Sequence, residues 1–212
     1  MTEKFIRAPH WQLFVFSFGV PFLMQLLGTT VSLSNLFAFS STPADAPAWP
    51  YYLSAAGSLA IGFVLYGWMW SVGHGLQKRM PREFRRPTIG FNAVVLTLAG
   101  LCCATVAYGG ELQLIMDERR VFTLLFWTVL PLLAVWMLSH LYCASYIADL
   151  VITAEKEREP TTHEWLQLSF LIWLFPVGIW IVQPRINRLA RAEVLQDAAV
   201  TEVVLRDQSQ AA

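Results

Sequence analysis

The sequence predicts an all-α polytopic transmembrane helix bundle, and three observations support this fold class. Five long stretches are apolar and free of Asp, Glu, Lys and Arg, and a membrane-spanning helix needs roughly twenty such residues. Hydrophobic residues make up 56% of the chain and charged residues 14%, whereas a soluble domain has about 25% charged residues. The charges are concentrated between the stretches, which lie at about 11–37, 51–76, 90–108, 121–148 and 165–183.

The first two stretches are predicted to form a helical hairpin. Residues 77–89, which follow the second stretch, carry five Lys and Arg residues, whereas residues 38–50, between the first and second, carry none. Because short loops rich in Lys and Arg remain in the cytoplasm, residues 77–89 are predicted to be cytoplasmic and residues 38–50 external. The N-terminus is therefore predicted to be cytoplasmic. The first stretch is too long for a secretion signal.

The third and fifth stretches leave the number of crossings open. The preferred expectation is five complete spans. This arrangement places the C-terminal arginines outside, and the cytoplasmic excess of Lys and Arg is then only weak. If one of these stretches crosses partially or is re-entrant, the excess becomes strong. Gly100 interrupts the third stretch, and Pro176 and Gly178 interrupt the fifth. The alternative is therefore four spans plus one partial or re-entrant segment.

The junction between the fourth and fifth stretches is predicted in more detail. The fourth helix is expected to continue to Glu159 and to stop before Pro160. Thr161 and Glu164 have the spacing of a capping box, which predicts that the fifth helix begins there. Helices four and five should therefore be antiparallel neighbours.

The chain is predicted to divide into a transmembrane helical domain at 1–183 and a C-terminal part at 184–212. Gln183 and Pro184 are expected to end the last membrane segment at the lipid headgroups. An amphipathic helix on the membrane surface and a polar tail are expected to follow. The residues expected to contact lipid phosphate are Arg185, Arg188 and Arg191.

The most specific local string, at residues 175–187, is FPVGIWIVQPRIN. It resembles the closing segment of small, uncharacterised polytopic inner-membrane proteins of Bacteroidetes-type bacteria, and the likeness covers this string and the general layout. The resemblance implies the bacterial inner membrane and no assigned activity. From the residues themselves, Pro176 and Gly178 predict a kinked helix, with a pocket or partner-docking surface at the kink as the functional alternative.

Two histidines are the candidate cofactor-binding residues. Under the predicted orientation, His74 and His140 both lie towards the cytoplasmic side, where two facing histidines could hold haem or line a quinone pocket. The simpler interpretation is that His140 belongs to a polar side of helix four that hydrogen-bonds to another helix. Because the apolar stretches contain no charged residue, a proton-coupled pump is not expected.

Small residues at four-residue intervals predict close helix packing on the second and third helices. Two interpretations remain open: the contacts join helices within one chain, or they form a seam between two copies. These residues are Ser54, Ser58 and Gly62 on the second helix, and Ala99, Cys103 and Ala107 on the third.

The sequence predicts a non-catalytic accessory, scaffold or interaction subunit of the bacterial inner membrane. Common hydrolase, P-loop, zinc-protease and Cys-x-x-Cys motifs are missing, so no catalytic residue, metal or cofactor is expected. The expected partners are the lipid bilayer and another membrane protein or a second copy, and not nucleic acid. One alternative is an oligomeric channel or small-solute permease, and another is a redox or lipid-modifying enzyme that uses His74 and His140.

Overall fold

The computed structural model describes residues 2–37, 49–80, 82–114 and 125–192, and these residues are mainly helical. The predicted all-α class is confirmed. Short π-helical turns at Val15–Gly19 and Leu125–Val129 lead directly into longer helices. The helices are α1 (Thr2–Arg7), α2 (His10–Phe14), α3 (Val20–Phe37), α4 (Trp49–Arg79), α5 (Ile89–Leu114), α6 (Leu130–Lys156), α7 (Thr162–Trp173) and α8 (175–192).

Four helical segments in the described residues are long and apolar enough to cross a membrane. The third predicted stretch is among them, because Gly100 is accommodated inside the continuous helix α5. The fifth predicted stretch is not among them. The candidate spans are His10–Val31, Trp49–Lys78, Ile89–Ala107 and Phe126–Lys156.

Helices α3 and α4 pack as the predicted antiparallel hairpin. The Gln25 side-chain amide donates hydrogen bonds to the Ser54 carbonyl at 2.9 Å and to the Ser58 hydroxyl at 2.6 Å. One turn further along α3, Gly28 lies directly against Pro50 and Ser54. Of the loop predicted at 38–50, residues 38–48 lie outside the described residues, and Trp49 and Pro50 begin α4.

The buried core lies towards one end of the bundle, where α4, α5 and α6 meet around the fully buried ring of Phe91. Gly73 of α4 leaves room for that ring, and Tyr146 of α6 stacks on it at a centroid distance of 4.4 Å. We call this the linker end, because it carries residues 79–88 and residues 156–162. By contrast, residues 126–138 are exposed on every side of the fourth candidate span.

Helix α6 ends at Lys156, so the prediction that it continues to Glu159 is wrong by one turn. The physical reason is local: Glu157 adopts the left-handed conformation with φ 50°, which ends an α-helix. The capping box of α7 is confirmed, since Thr161 accepts from the Glu164 backbone N–H and the Glu164 side chain accepts from the Thr161 N–H. Trp165 of α7 donates to the Ser145 carbonyl of α6 at 3.2 Å, and the two helices run antiparallel.

The fifth stretch is two helices rather than one. Helix α7 ends at Trp173, and Leu174, with φ −82° and ψ 54°, turns the chain into α8. The predicted helix end at Gln183 and Pro184 is wrong, because α8 runs through both residues to 192. A proline inside a helix removes one backbone hydrogen bond. Burial of Ile186 and Ala190 beyond Pro184 keeps this part of the helix packed against the core, and residues 193–212 lie outside the described residues.

Candidate functional site

A buried amide joins the last described helix to the first. The Gln183 side chain is fully buried, and its Oε1 accepts a hydrogen bond from Trp68 Nε1 at 2.7 Å. Its Nε2 lies 3.0 Å from the Ile6 carbonyl oxygen and 3.1 Å from those of Phe5 and Ala8. An amide nitrogen has two hydrogens, so two acceptors can be served at a time. We call Trp68, Gln183, Asn187 and the three carbonyls the Gln183 cluster.

The last carbonyls of a helix lack partners inside the helix, and the Gln183 cluster supplies hydrogen-bond donors to such carbonyls. Helix α1 ends at Arg7, just before Pro9, and presents these carbonyls to α8. Asn187, one turn after Gln183, accepts from the Gln183 amide and also donates to the Ala8 carbonyl at 3.3 Å. The two side chains therefore cap α1. Sequence reasoning missed this role, since no local pattern shows a partner about 180 residues away.

Arg185 is held by an acidic residue of α6. Its guanidinium donates two hydrogen bonds to the Glu155 carboxylate, of which the Nε to Oε1 bond is 2.8 Å long. This hydrogen bonding raises the pKa of Arg185 above its ordinary value. Arg185 was expected to contact lipid phosphate, but its guanidinium is engaged by Glu155. Arg188 and Arg191, which shared that expectation, lie exposed on α8.

A second set of polar contacts ties residues 79–88 to α6. Arg86 Nε is 3.1 Å from an Asp149 carboxylate oxygen, and its Nη2 is 3.4 Å from Glu159. From the other side, Gln77 donates to the Arg86 carbonyl at 2.8 Å and to the Tyr146 hydroxyl at 2.9 Å. These contacts fix the linker against the fourth candidate span.

Glu164 connects α7 back to the end of α6. Its carboxylate pairs with Lys156 and lies 2.9 Å from an Arg158 guanidinium nitrogen. It also accepts from the Thr161 backbone N–H at 3.1 Å. The hydrogen bond from Lys156, followed by those from Thr161 and Arg158, holds the pKa of Glu164 well below its ordinary value.

The turn at Leu174 brings Gly178 against α7. The Leu174 carbonyl accepts from the backbone N–H groups of Val177 at 2.9 Å and Gly178 at 2.8 Å. A Cβ atom on Gly178 would collide with the Leu171 carbonyl oxygen. Pro176, which has no N–H, occupies the first turn of α8, where this group would have no partner inside the helix.

The two candidate histidines have different neighbours. His74 stacks on Trp70 at 4.4 Å, and its Nδ1 lies 3.0 Å from the Trp70 carbonyl oxygen. His140 stacks on Trp136 at 5.5 Å, and its ring lies near the backbone of Trp173 at the end of α7. Among the described residues, its buried Nδ1 has no hydrogen-bond partner, and no group of three or more His, Cys, Asp or Glu could hold a metal ion.

The small residues of the second helix pack within the chain. Ser54 lies against Gly28, Ser58 accepts from Gln25, and Gly62 faces the Cys102 thiol. On α5, Ala99 and Cys103 line an apolar groove of about 390 Å³ between α4 and α5, and Ala107 is exposed. A smaller groove of about 230 Å³ lies between α1, the start of the first candidate span and α4.

Comparison with protein-family models, with curated proteins and with solved structures found no match. The chemistry of the candidate site is therefore given by its own contacts. Amide, guanidinium and carboxylate groups at the linker end bind α1, α6, α7, α8 and residues 79–88 to one another. Their arrangement holds helices in place and leaves the larger groove apolar.

Proposed function

We propose that the chain is an integral protein of the bacterial inner membrane with four spans and a re-entrant fifth segment, and that it acts as a non-catalytic accessory or scaffold subunit. One observation carries the proposal. The fifth stretch begins at the linker end, where Glu164 binds Lys156, and returns to it, where Arg185 binds Glu155. A segment that starts and ends beside two adjacent residues of α6 does not cross the bundle.

Helix length supports the re-entrant arrangement. Helix α7 has 12 residues and is therefore about 18 Å long, whereas the hydrocarbon core is about 30 Å thick. Its end, at Trp173, contacts His140 part-way along α6. The N-terminus, residues 79–88 and α8 then lie on one side, so the Lys and Arg residues of these segments share the side that the positive-inside rule makes cytoplasmic.

The use of polar side chains supports a scaffold. Within the bundle, the Gln25 amide joins α3 to α4, and the Trp136 indole donates to the Tyr66 hydroxyl at 2.8 Å and joins α6 to α4. Gln183 joins α8 to α4 and α1. These groups hold helices together, while the outer half of the fourth candidate span offers apolar side chains in every direction, as a surface for lipid or another transmembrane helix would.

Cysteine accessibility tests the topology. In a background with Cys102, Cys103 and Cys143 replaced by alanine, single cysteines at Glu159 and Arg188 should react with a membrane-impermeant maleimide only after permeabilisation. A cysteine at Asp45, in the predicted external loop, should react in intact cells. Labelling of the position-188 cysteine in intact cells would refute the re-entrant segment.

Photo-crosslinking tests the scaffold role. A photoreactive amino acid at Leu138, which is 67% exposed on α6, should form one stoichiometric adduct with a different membrane protein. The control position is Ile89, which is 83% exposed at the start of α5 and should not give this adduct. Adducts with lipid alone would contradict a partner on this helix, and an adduct with a second copy would favour the oligomeric channel instead.

A further inference from the structure

The smaller groove combines a cation with apolar walls. It lies between α1, α2 and α4, and its lining is almost wholly apolar, with the polar residues Lys4 and Gln12 at its edge. Leu13, Phe16 and Val64 form its apolar walls. The groove, at about 230 Å³, is smaller than the roughly 300–1,000 Å³ of pockets that enclose whole small molecules, so it fits part of an extended amphiphile.

The groove lies where the first candidate span begins. That span starts at His10, immediately after Pro9, and Trp11 at its start is 52% exposed. An exposed tryptophan at the end of a span is typical of the membrane–water interface. Gln12 and the polar edge of the groove are therefore at headgroup depth, while Phe16, one turn further, reaches towards the acyl chains.

Lys4 is available to a ligand. Its side chain is exposed and makes no ion pair with any side chain that the structure describes, unlike Arg86, Lys156, Arg158 and Arg185 at the same end. Basic side chains at the cytoplasmic face of a membrane attract anionic lipid headgroups. The charge at the edge of the groove thus complements a phosphate, and the apolar walls complement a hydrocarbon chain.

The Gln183 cluster fixes the position of α1, which forms one wall of this groove. The carbonyls of Phe5, Ile6 and Ala8 are bound to Gln183 and Asn187, which fixes α1 across α4. The Phe5 ring in turn contacts Gly67 of α4. Because α1 cannot roll without breaking these contacts, Lys4 remains at the edge of the groove before any ligand arrives, which lowers the entropic cost of binding.

We propose that this groove binds one anionic phospholipid, with Lys4 and Gln12 on its phosphate and Leu13, Phe16 and Val64 along one acyl chain. The proposal rests on the membrane topology given above, which places α1 at the cytoplasmic leaflet. The site is specific for net charge rather than for a particular headgroup, because the Lys4 ammonium is attracted to the net negative headgroup of any anionic lipid, whereas phosphatidylcholine carries a cation that offsets its phosphate.

Native mass spectrometry of the detergent-solubilised full chain tests the site, with phosphatidylglycerol and phosphatidylcholine of identical acyl chains as probes. The unmodified chain should retain one phosphatidylglycerol in preference to phosphatidylcholine. Lys4→Ala should weaken phosphatidylglycerol binding roughly fivefold, as expected for one basic side chain near a lipid headgroup, and Lys4→Arg should restore it. Lys78→Ala, an exposed lysine of α4 away from the groove, is the matched control and should bind as the unmodified chain does.

A second variant tests the acyl-chain part. Val64→Phe fills the groove and should reduce binding of both lipids without changing the preference that Lys4 provides. Equal binding of the two lipids by the unmodified chain, or equal effects of Lys4→Ala and Lys78→Ala, would overturn the proposal. Displacement of the bound lipid by inorganic phosphate alone would also overturn it, because the site would then recognise a free anion rather than a lipid. These results are independent of the cysteine labelling pattern, so a failure of the lipid site is distinguishable from a wrong topology.

Discussion

The Gln183 side chain supplies hydrogen-bond partners to buried groups on several helices. It is fully buried, and its Oε1 accepts from the Trp68 indole N–H. Its two amide hydrogens serve two at a time of the acceptors around Nε2, which are the three carbonyls of α1 and Asn187 Oδ1. A buried polar group without a partner costs about 1–3 kcal/mol, so removing this amide affects groups on three helices. Its neighbours at the linker end, by contrast, are partly exposed ion pairs.

We predict that Gln183→Leu lowers the free energy of unfolding by about 1–3 kcal/mol, because the Trp68 N–H and the α1 carbonyls lose their partner. Thermal unfolding in detergent, followed by tryptophan fluorescence, measures the effect. Gln167→Leu is the control, since Gln167 is exposed on α7 and a surface substitution typically changes stability by less than about 0.5 kcal/mol. Equal melting temperatures for the two variants would contradict a structural role for the Gln183 amide.

We predict a pH dependence of stability from Glu164. Its pKa in the folded chain lies below the ordinary value of 4.5, so the ionised form contributes stability that is fully present above about pH 4.5 and is lost as the pH falls below it. Glu164→Gln retains a capping-box residue but removes the charge. Between pH 5 and pH 3, roughly the range in which a glutamate protonates, its melting temperature should fall less than that of the unmodified chain. An equal fall in melting temperature for Glu164→Gln and for the unmodified chain would exclude this contribution.

At the scale of elements, the turn between α7 and α8 depends on close backbone approach. The Leu171 carbonyl occupies the space of a Gly178 Cβ, while Leu174 supplies the carbonyl that binds the first N–H groups of α8. The turn therefore needs glycine at 178 for steric reasons. Pro176 is compatible with the first turn of α8 and does not itself distort it.

We predict that Gly178→Ala destabilises the chain by about 1–3 kcal/mol, the usual cost of forcing an extra carbon into a packed site. Gly100→Ala is the matched control, because an added Cβ there meets nothing within 4 Å and alanine is the better helix former by about 1 kcal/mol. Chemical or thermal unfolding of both variants measures the difference. A Gly178→Ala variant as stable as the unmodified chain would show that the turn can accommodate an added Cβ without loss of stability.

Local features of this chain could be predicted from the sequence, and long-range partners could not. The capping box at Thr161 and Glu164 depends on residues three apart, and it was predicted correctly. The fifth stretch was correctly singled out as interrupted, but its turn lies at Leu174, because the backbone there, rather than the proline, sets the change of direction. The pairing of Arg185 with Glu155 joins separate helices, and no spacing rule reveals such a contact.

At the scale of the whole molecule, the contacts divide the bundle into two unlike halves. The linker end holds the buried core around Phe91 and the ion pairs of Arg86 and Arg185, whereas residues 126–138 of the fourth candidate span are exposed on every side. In lipid, apolar exposure of this kind has no hydrophobic cost. The position of α6 is therefore determined mainly at the linker end.

We predict a coupling energy of about 0.5–3 kcal/mol between Arg185 and Glu155 in a double-mutant cycle. Arg185→Glu alone should destabilise the chain, because two carboxylates would then face each other beside α6. The exchanged pair Glu155→Arg with Arg185→Glu should recover part of the lost stability. Unfolding in detergent measures Arg185→Glu, Glu155→Arg and the exchanged pair. Strictly additive effects on the free energy of unfolding would contradict the pairing of Arg185 with Glu155.

The Gln183 cluster also has a consequence for biosynthesis. Helix α1 is made first, but the side chains that cap its carbonyls belong to residues 183 and 187. During translation α1 is therefore made before the residues that cap its carbonyls. A chain truncated before α8 lacks both capping side chains, so the last carbonyls of α1 would have no partners from α8.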